Sequence, residues 1–340
     1  MLLLMPGARP PPLKLFVIGD VHGCAEELKA LIHKLPLDQN STLLFLGDYV
    51  DRGPDSKAVI DIVLDLSEVY QVIALKGNHE WLMEQYLANP ENPVASGNFI
   101  LNGGSATLAS YSADGATYTI PASHREFLRG LKLFHATESH FFVHAGVPPN
   151  YDFAANSVDE KTAHQFLWIR DVFLNSKKKW PKIVVHGHTP VETAEILPNR
   201  INLDTGCVFG RRLSAMNMAT GELISVERNQ GTRPSFLTHT LSGGRARAQR
   251  FAGDVTVEIL VGSVGFAFHT VNYNEFGLLI YAAPGAEHLK FAAGESLNGL
   301  IKPGGDNIFH FQATVIRVDK VKGVPQYALR FDKLENLAEL

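Results

Sequence analysis

Metal-binding side chains stand at the ends of short apolar runs in this sequence. They are Asp20, His22, Asp48, Asn78, His144 and His188. Carboxylate, imidazole and amide groups suit divalent ions such as Mn²⁺, Fe²⁺ and Zn²⁺. Two such ions about 3.5–4 Å apart hold the attacking and leaving oxygens of a phosphoester and generate hydroxide near neutral pH. The residue types therefore predict a phosphoester hydrolase with two metal ions, in which Asp48 could bridge both.

A phosphoester hydrolase also needs positive charge for the phosphate and a proton for the leaving group. Arg52 and Arg170 offer planar guanidinium groups that suit phosphate oxygens. His79 is placed to act as the general acid, and Asp51 could orient its ring. A lone arginine is more often a surface ion-pair partner, and spacing alone does not prove the pairing of Asp51 with His79. These four residues are therefore candidates for catalysis.

The apolar runs that precede the candidate residues are typical of buried strands. They cover residues 15–18, 43–46, 72–75, 141–143 and 183–185. Helical spacing of apolar residues follows the first two runs, and strands that alternate with helices predict an α/β fold with parallel pairing. Ligands of such folds bind beyond the carboxyl ends of the strands. We therefore expect the candidate residues to converge on one rim.

The sequence changes in character after residue 228. Residues 229–250 are rich in Gly, Thr, Ser and Arg, which is typical of a linker. Residues 255–261, 265–271, 277–281 and 309–318 indicate β-strands separated by Gly, Pro and Asn turns. We predict a catalytic domain over residues 1–235 and a small all-β, barrel-like domain over residues 245–340.

Composition excludes several classes of partner. The chain has 340 residues, a hydrophobic fraction of 45% and a net charge of −4, so no nucleic-acid polymer is expected as a partner. Cys24 and Cys207 form no disulfide framework and are expected to be buried thiols. The apolar start is too short for a secretion signal, and no run is long enough to span a membrane. We expect a cytoplasmic protein with a flexible start before about residue 13 and no membrane partner.

The motifs around the candidate residues resemble those of the phosphoprotein phosphatases, within the calcineurin-like metallophosphoesterase superfamily. Three signature motifs match G-D-V-H-G at 19–23, G-D-Y-V-D-R-G at 47–53 and G-N-H-E at 77–80. The later histidines lie in V-H-A-G at 143–146 and G-H-T-P at 187–190. L-W-I-R at 167–170 resembles the segment that carries the second arginine in the bacterial and phage branch. The resemblance covers about residues 15–215.

This resemblance implies a β-sandwich flanked by helices and a role for each candidate. Asp20 and His22 would bind the first metal, Asp48 would bridge, Asn78, His144 and His188 would bind the second, Arg52 and Arg170 would hold phosphate, and His79 would donate a proton with Asp51 as its partner. The family mechanism is direct attack by metal-bound hydroxide. Two divalent ions are implied, with manganese expected and iron or zinc as alternatives.

The substrate expected from the resemblance is a phosphoprotein, on serine or threonine and conceivably on tyrosine. Residues 52–56 also resemble the symmetrical diadenosine tetraphosphatases, but these typically carry Asp where this chain has Glu80. Residues 207–210 stand where eukaryotic protein phosphatases carry a loop with a tyrosine over the site. A dinucleotide polyphosphate hydrolase, or another phosphatase of small molecules, is the alternative. A metal-binding regulatory module with little catalysis is a second alternative.

The C-terminal region resembles a degenerate PilZ domain, a small β-barrel that binds cyclic di-GMP. The resemblance rests on Arg245, Arg247 and Arg250, on Asn272, Asn274 and Gly277, and on residues 327–331. The arginines do not have the usual spacing, and Asn274 replaces the serine of the binding turn. A retained fold that has lost its ligand is expected at least as much as a working sensor. Contact with cyclic di-GMP or another regulator is therefore left open.

Overall fold

The computed structural model describes residues 14–113, 117–155, 157–229, 255–262, 264–274, 276–304, 307–321 and 324–337. Two five-stranded sheets form from the N-terminal part and a closed barrel of six strands forms from the C-terminal part. Most of the predicted linker, with Arg245, Arg247 and Arg250, lies outside the described residues, as do residues 1–13. The predicted domain boundary between residues 235 and 245 also lies there and stays a prediction.

The first sheet has the strand order β10-β9-β1-β2-β3. Its strands are β1 (Lys14–Ile18), β2 (Ser41–Phe45), β3 (Gln71–Ala74), β9 (Arg212–Asn217) and β10 (Glu222–Glu227). The central strands β1, β2 and β3 pair in parallel, whereas β9 and β10 extend the sheet by antiparallel pairing. The predicted parallel core is confirmed, and its three carboxyl ends lie along one edge.

The second sheet has the order β4-β5-β6-β8-β7. Its strands are β4 (Phe134–Ala136), β5 (His140–Val143), β6 (Ile183–His186), β7 (Glu195–Ile196) and β8 (Arg200–Asn202). One face of each sheet contributes to a shared apolar cluster, in which Val17 and Leu44 of the first sheet join Phe142 and Val185 of the second. Because alternate residues of a strand point to opposite faces, this packing makes the β-sandwich that the resemblance implied.

Helices cover the outer faces of both sheets. They are α1 (Ala25–Lys34), α2 (Ser56–Ser67), α3 (Asn78–Ala88), α4 (Pro93–Phe99), α5 (Ser105–Ser110), α6 (Ala122–Gly130), α7 (Glu160–Trp168) and α8 (Asp171–Leu174). Leu28, Leu31 and Val59 are buried with Phe16 and Ile18, the strand residues that face away from the second sheet. The predicted helical spacing thus buries the expected faces of α1 and α2. No helix among the described residues is long and apolar enough to cross a membrane.

The barrel contains the predicted C-terminal strands and two more. Its strands are β11 (Thr256–Val261), β12 (Val264–Asn274), β13 (Gly277–Ala282), β14 (Ser296–Gly304), β15 (Asn307–Val321) and β16 (Val324–Asn336). Every second residue of β15 from Phe309 to Val315 is buried, which is the period expected of a strand with one face toward a core. The all-β prediction is confirmed, with β14 and β16 added to the predicted strands.

Candidate metal centre and active site

The predicted metal-binding residues meet at one rim of the sandwich, just beyond the carboxyl ends of its parallel strands. Asp20 follows β1, Asp48 follows β2, Asn78 begins α3 after β3, His144 follows β5 and His188 follows β6. All five side chains are buried, together with His22. Residues separated by up to 168 positions in the chain therefore share one site, as in the hydrogen bond from the His188 backbone N–H to Asp20 Oδ2, at 2.9 Å.

Asp48 lies at the centre of this site, between two groups of ligand atoms. Its Oδ2 is 3.3 Å from His22 Nε2 on one side and 3.4 Å from His144 Nε2 on the other. The first group of closely spaced ligand atoms comprises His22, Asp48 and His79, and the second comprises Asp48, His144 and His188. Because Asp48 belongs to both groups, its carboxylate is placed to serve two ions. Asp20 lies outside the first group, where His79 stands instead.

The lone pairs of several buried atoms point into the same space. His22 Nδ1 lies 2.8 Å from the Val50 carbonyl oxygen, and His144 Nδ1 lies 3.0 Å from the Leu46 carbonyl oxygen. A carbonyl oxygen only accepts, so each Nδ1 donates and each Nε2 faces the Asp48 carboxylate, where the neutral form of the ring would offer a lone pair to a metal ion. Asp20 Oδ1 is buried with no hydrogen-bond partner among the described residues. Converging acceptors of this kind fit divalent cations.

The charges of the site also favour a cation. Burial lowers the pKa of His22 to about 4. Burial acts in the same direction on His144, but the Asp48 carboxylate outweighs it and raises the pKa of His144 to about 9. Burial, followed by the charge of Asp204, raises the pKa of Asp20 well above its usual range. The carboxylates thus create a field that draws positive charge to the rim.

Several residues of the site have a strained, left-handed backbone conformation. The non-glycine residues with positive φ in the described part of the chain are His22, Asp48, Asp51, Arg52 and His188. Left-handed backbone at such residues costs about 1–3 kcal/mol each and tends to occur at functional sites. Glycine allows close approach nearby, since a Cβ on Gly77 would lie 2.0 Å from Asp48 Oδ1. The fold therefore tolerates local strain to aim these side chains.

Glu80 holds the loop that carries Asp48. Its Oε2 accepts hydrogen bonds from the backbone N–H groups of Asp48 and Gly77, both at 2.9 Å. Its Oε1 accepts from Tyr49 at 2.8 Å and from Val50 at 3.2 Å. The Glu80 side chain is fully buried. A single carboxylate therefore fixes the strand ends of β2 and β3 relative to each other.

Replacement of Glu80 by Gln is expected to destabilise the protein by about 2–4 kcal/mol, because two buried N–H donors would then face an NH₂ group. The free energy of unfolding in urea measures this loss. Glu84→Gln is the matched control on the same helix, since its partly exposed ion pair with Lys76 contributes about 1 kcal/mol. Equal losses for the two variants would contradict the proposed role of the Glu80 carboxylate.

The predicted phosphate-binding and acid residues border the metal-binding residues. Arg52 NH1 lies 3.3 Å from His22 Nε2, while Arg170 donates from Nε to His188 Nε2 at 3.0 Å and from NH2 to the His188 carbonyl oxygen at 3.1 Å. His79 Nδ1 lies 2.7 Å from Asp51 Oδ2. The structure thus brings all ten sequence-predicted residues together, and it forms the Asp51–His79 pair that spacing alone left open.

Two further residues of the site were missed by the sequence analysis. Thr107 of α5 donates from Oγ1 to Asp51 Oδ1 at 2.6 Å, so it orients the carboxylate that orients His79. Asp204 is buried at the same rim, just after β8, and burial raises its pKa to about 6. The strand-end rule misses Asp204, because the strand before it, β8, reads Arg-Ile-Asn and is not an apolar run. No local pattern marks Thr107.

Comparison with known families agrees with this geometry. The family model described as calcineurin-like phosphoesterase matches residues 13–215, a range that contains all ten predicted residues of the site. The chain belongs to the calcineurin-like phosphoesterase family. It is therefore a hydrolase that acts on phosphoesters, and divalent metal ions are the cofactors that the family implies.

Relatives of this phosphoesterase carry names of nucleotide hydrolases. It is 30% identical over 245 residues to the bis(5′-nucleosyl)-tetraphosphatase PrpE (asymmetrical) of Oceanobacillus iheyensis, a match that covers 64% of this chain and 94% of the relative. The protein of the same name from Anoxybacillus flavithermus is 30% identical over 236 residues, which cover 62% of this chain and 92% of that relative. About a third of the phosphoesterase chain lies outside each match.

The PilZ resemblance of the C-terminal region stays a prediction. A solved PilZ domain with c-di-GMP, from YcgR of Escherichia coli, matches 26% of this phosphoesterase and 79% of that domain, at 16% identity and a TM-score of 0.22. A likeness this low carries no argument about binding. The structure explains why glycine stands at position 277, because a Cβ there would lie 2.0 Å from the Leu329 carbonyl oxygen of β16. The Asn274 side chain lies outside the described residues.

Proposed function

We propose that this phosphoesterase hydrolyses bis(5′-nucleosyl) tetraphosphates, with two divalent ions of which manganese is the best candidate. The observation that carries the proposal is the match to the PrpE proteins over 94% of the length of one and 92% of the other. Those relatives favour the alternative that the sequence analysis left open over the protein phosphatase that it ranked first.

Glu80 does not speak against a nucleotide substrate once its contacts are known. This residue stands where the symmetrical tetraphosphatases typically carry Asp. The Glu80 carboxylate binds four backbone N–H groups and is fully buried. It supports the metal-binding loop and does not face a substrate. Its identity therefore says little about which phosphoester binds.

An aromatic cluster beside the site supports a nucleotide substrate. Trp168 lies two residues before Arg170, and its ring centroid is 6.2 Å from that of His188. His164 stacks on Trp168 at 6.1 Å, and Trp81 meets both rings edge-on. Trp81 and His164 also line a cavity of about 250 Å³. Nucleobases stack on aromatic faces of this kind, so a base could be held here while its phosphates reach the rim.

The roles that the resemblance implied fit the contacts described above. The metal-binding residues are proposed to be Asp20, His22, Asp48, Asn78, His144 and His188, with Asp48 shared by both ions. Bound divalent ions would polarise the phosphoryl group and supply a nucleophilic water near neutral pH. Arg52 and Arg170, at opposite sides of the site, would offset the negative charge of the phosphate oxygens. Asp51 would hold His79 so that its Nε2 can carry a proton toward the leaving group.

One observation favours a phosphoprotein phosphatase as the second candidate. The buried pair of His79 and Asp51 is suited to protonate a strongly basic leaving group. The alkoxide of serine or threonine is such a group, whereas a nucleotide phosphate leaves as a weak base. The pair is therefore more useful for a phosphoprotein than for a dinucleotide.

The two candidates are separated by competing substrates at equal enzyme concentration. We expect the manganese-loaded protein to hydrolyse diadenosine tetraphosphate with a kcat/KM at least about tenfold above that for a phosphoserine peptide. Chromatography of the nucleotides would also identify the bond cleaved, because asymmetrical cleavage gives ATP and AMP. Asp20→Asn is the control and should be inactive on both substrates.

Other outcomes of this assay have defined meanings. A preference for the phosphopeptide would overturn the nucleotide proposal in favour of the second candidate. A protein that is inert on every phosphoester with Mn²⁺, Zn²⁺, Fe²⁺ and Co²⁺ would contradict both candidates and leave the regulatory module, with metal binding but little catalysis.

A further inference from the structure

The barrel packs against the segment of the catalytic part that runs from α4 to α5, residues 93–110. Asn336, at the end of β16, donates from Nδ2 to Asn102 Oδ1 at 3.3 Å, and both side chains are buried. Pro303 of β14 lies close to α4, since a Cβ added to Gly97 would be 2.6 Å from the Cβ of Pro303. These contacts join the barrel to the catalytic part of the chain.

The same segment contacts two residues of the proposed active site, Arg52 and Asp51. The Gly103 carbonyl oxygen accepts a hydrogen bond from the Arg52 backbone N–H at 3.2 Å. Gly103 has a φ of 104°, and a Cβ there would lie 2.8 Å from both the backbone nitrogen and Cγ of Arg52. Thr107 binds Asp51 from the next turn. The position of this segment thus sets the positions of Arg52 and Asp51.

Asn102 joins the barrel to the segment. Its Oδ1 accepts from Asn336 of the barrel, and its Nδ2 donates to the Asn98 carbonyl oxygen in α4 at 2.7 Å. It lies in the turn Ile100–Gly104, where the chain kinks at Gly103 between α4 and α5. The barrel contact at Asn102 and the Arg52 contact at Gly103 lie on adjacent residues.

We propose that the barrel positions the phosphate-binding Arg52 through the contact between Asn336 and Asn102. Asn336 and Asn102 are positioning residues, because they touch no reacting atom and act through the turn at residues 100–104. A ligand or partner that shifts the barrel would change phosphate affinity by the same route. The inference rests on the proposed role of Arg52, but not on the choice between a dinucleotide and a phosphoprotein.

The test uses the full chain, loaded with manganese, and reads phosphate binding directly. In Asn336→Ala we expect the dissociation constant for inorganic phosphate, measured by titration calorimetry, to rise about three- to tenfold. The KM for p-nitrophenyl phosphate should rise in parallel, while kcat and metal content change less than twofold. Asn307→Ala is the matched control, because it removes a contact that Asn336 Nδ2 makes within the barrel, at 2.9 Å, and leaves Asn102 in place.

The same substitution in a protein that already carries Arg52→Ala distinguishes an effect on the position of Arg52 from a general loss of stability. In Arg52→Ala, which lacks the guanidinium, Asn336→Ala should cause no further change in the phosphate dissociation constant. Equal weakening in both backgrounds, or an unchanged constant in the otherwise native protein, would overturn the proposal. If Asn336→Ala does not fold, the isosteric Asn336→Asp replaces it, because an acceptor then faces Asn102 Oδ1. Neither inorganic phosphate nor p-nitrophenyl phosphate depends on the natural substrate, so a failure here is distinct from a failure of the nucleotide proposal.

Discussion

Replacement of Asp48 by Asn is expected to lower turnover of p-nitrophenyl phosphate by more than about a hundredfold. Mutation of a residue that only hydrogen-bonds a metal ligand already lowers metal affinity or activity about 10- to 100-fold, and Asp48 is proposed to be a ligand itself. The Asp48 carboxylate lies 3.3 Å from His22 and 3.4 Å from His144, so its charge serves both halves of the site. The amide keeps the shape but removes that charge. Metal content after gel filtration in Mn²⁺ should fall together with the rate.

The control for this variant is Asp65→Asn, an exposed position on α2 outside the site. It removes the same charge and should leave metal content, rate and circular dichroism unchanged. An Asp48→Asn protein that binds metal normally and turns over at the native rate would contradict the bridging role. Loss of metal in the Asp65 variant would instead indicate that net charge, and not the shared ligand, governs binding.

The residues at the rim of this site could be predicted from the sequence because the pattern that marks them, an apolar strand followed by a polar residue, is local. The strands β1, β2 and β5 end in short apolar runs, and the chain turns polar just after them, at Asp20, Asp48 and His144. Parallel strands place their carboxyl ends on one edge of the sheet. Convergence of distant residues then follows from topology without any knowledge of the contacts themselves.

The contacts that support the rim could not be predicted in the same way. Thr107 reaches Asp51 across 56 positions, and Glu80 reaches the Asp48 loop across about 30. A buried threonine in a helix has no distinctive pattern. Glu80 was noticed only as a difference from one branch of the resemblance, and the backbone N–H groups that it binds became visible only in the fold.

The barrel shows a second limit of sequence patterns. The segment that forms β14 contains Gly299, Pro303 and Gly304, which are depleted in strands, and so it was not among the predicted strands. Gly299 is nevertheless needed inside the barrel, because a Cβ there would lie 2.5 Å from the Phe311 ring. The contact between Asn102 and Asn336 spans 234 positions. Nothing in the local sequence of either asparagine indicates it.

His79→Asn is expected to slow hydrolysis of a phosphoserine peptide by about 10²- to 10⁴-fold, the range that general acid catalysis contributes. The rates on p-nitrophenyl phosphate and diadenosine tetraphosphate should change far less, because p-nitrophenolate and nucleotide phosphates leave without a proton. Asp51 lies 2.7 Å from His79 Nδ1, which directs Nε2 into the site. Steady-state kinetics on the three substrates measure the difference.

Metal content decides between the two roles that the geometry allows for His79. One of its ring nitrogens lies in a group of ligand atoms with His22 and Asp48, so a ligand role would make His79→Asn lose metal and all three activities together. A general acid would leave metal content intact and affect only the substrate with the basic leaving group. His33→Asn, an exposed histidine on α1, is the matched control and should change neither quantity. Equal losses on the three substrates with full metal content would rule out the acid, and the second candidate function would then lose the observation on which it stands.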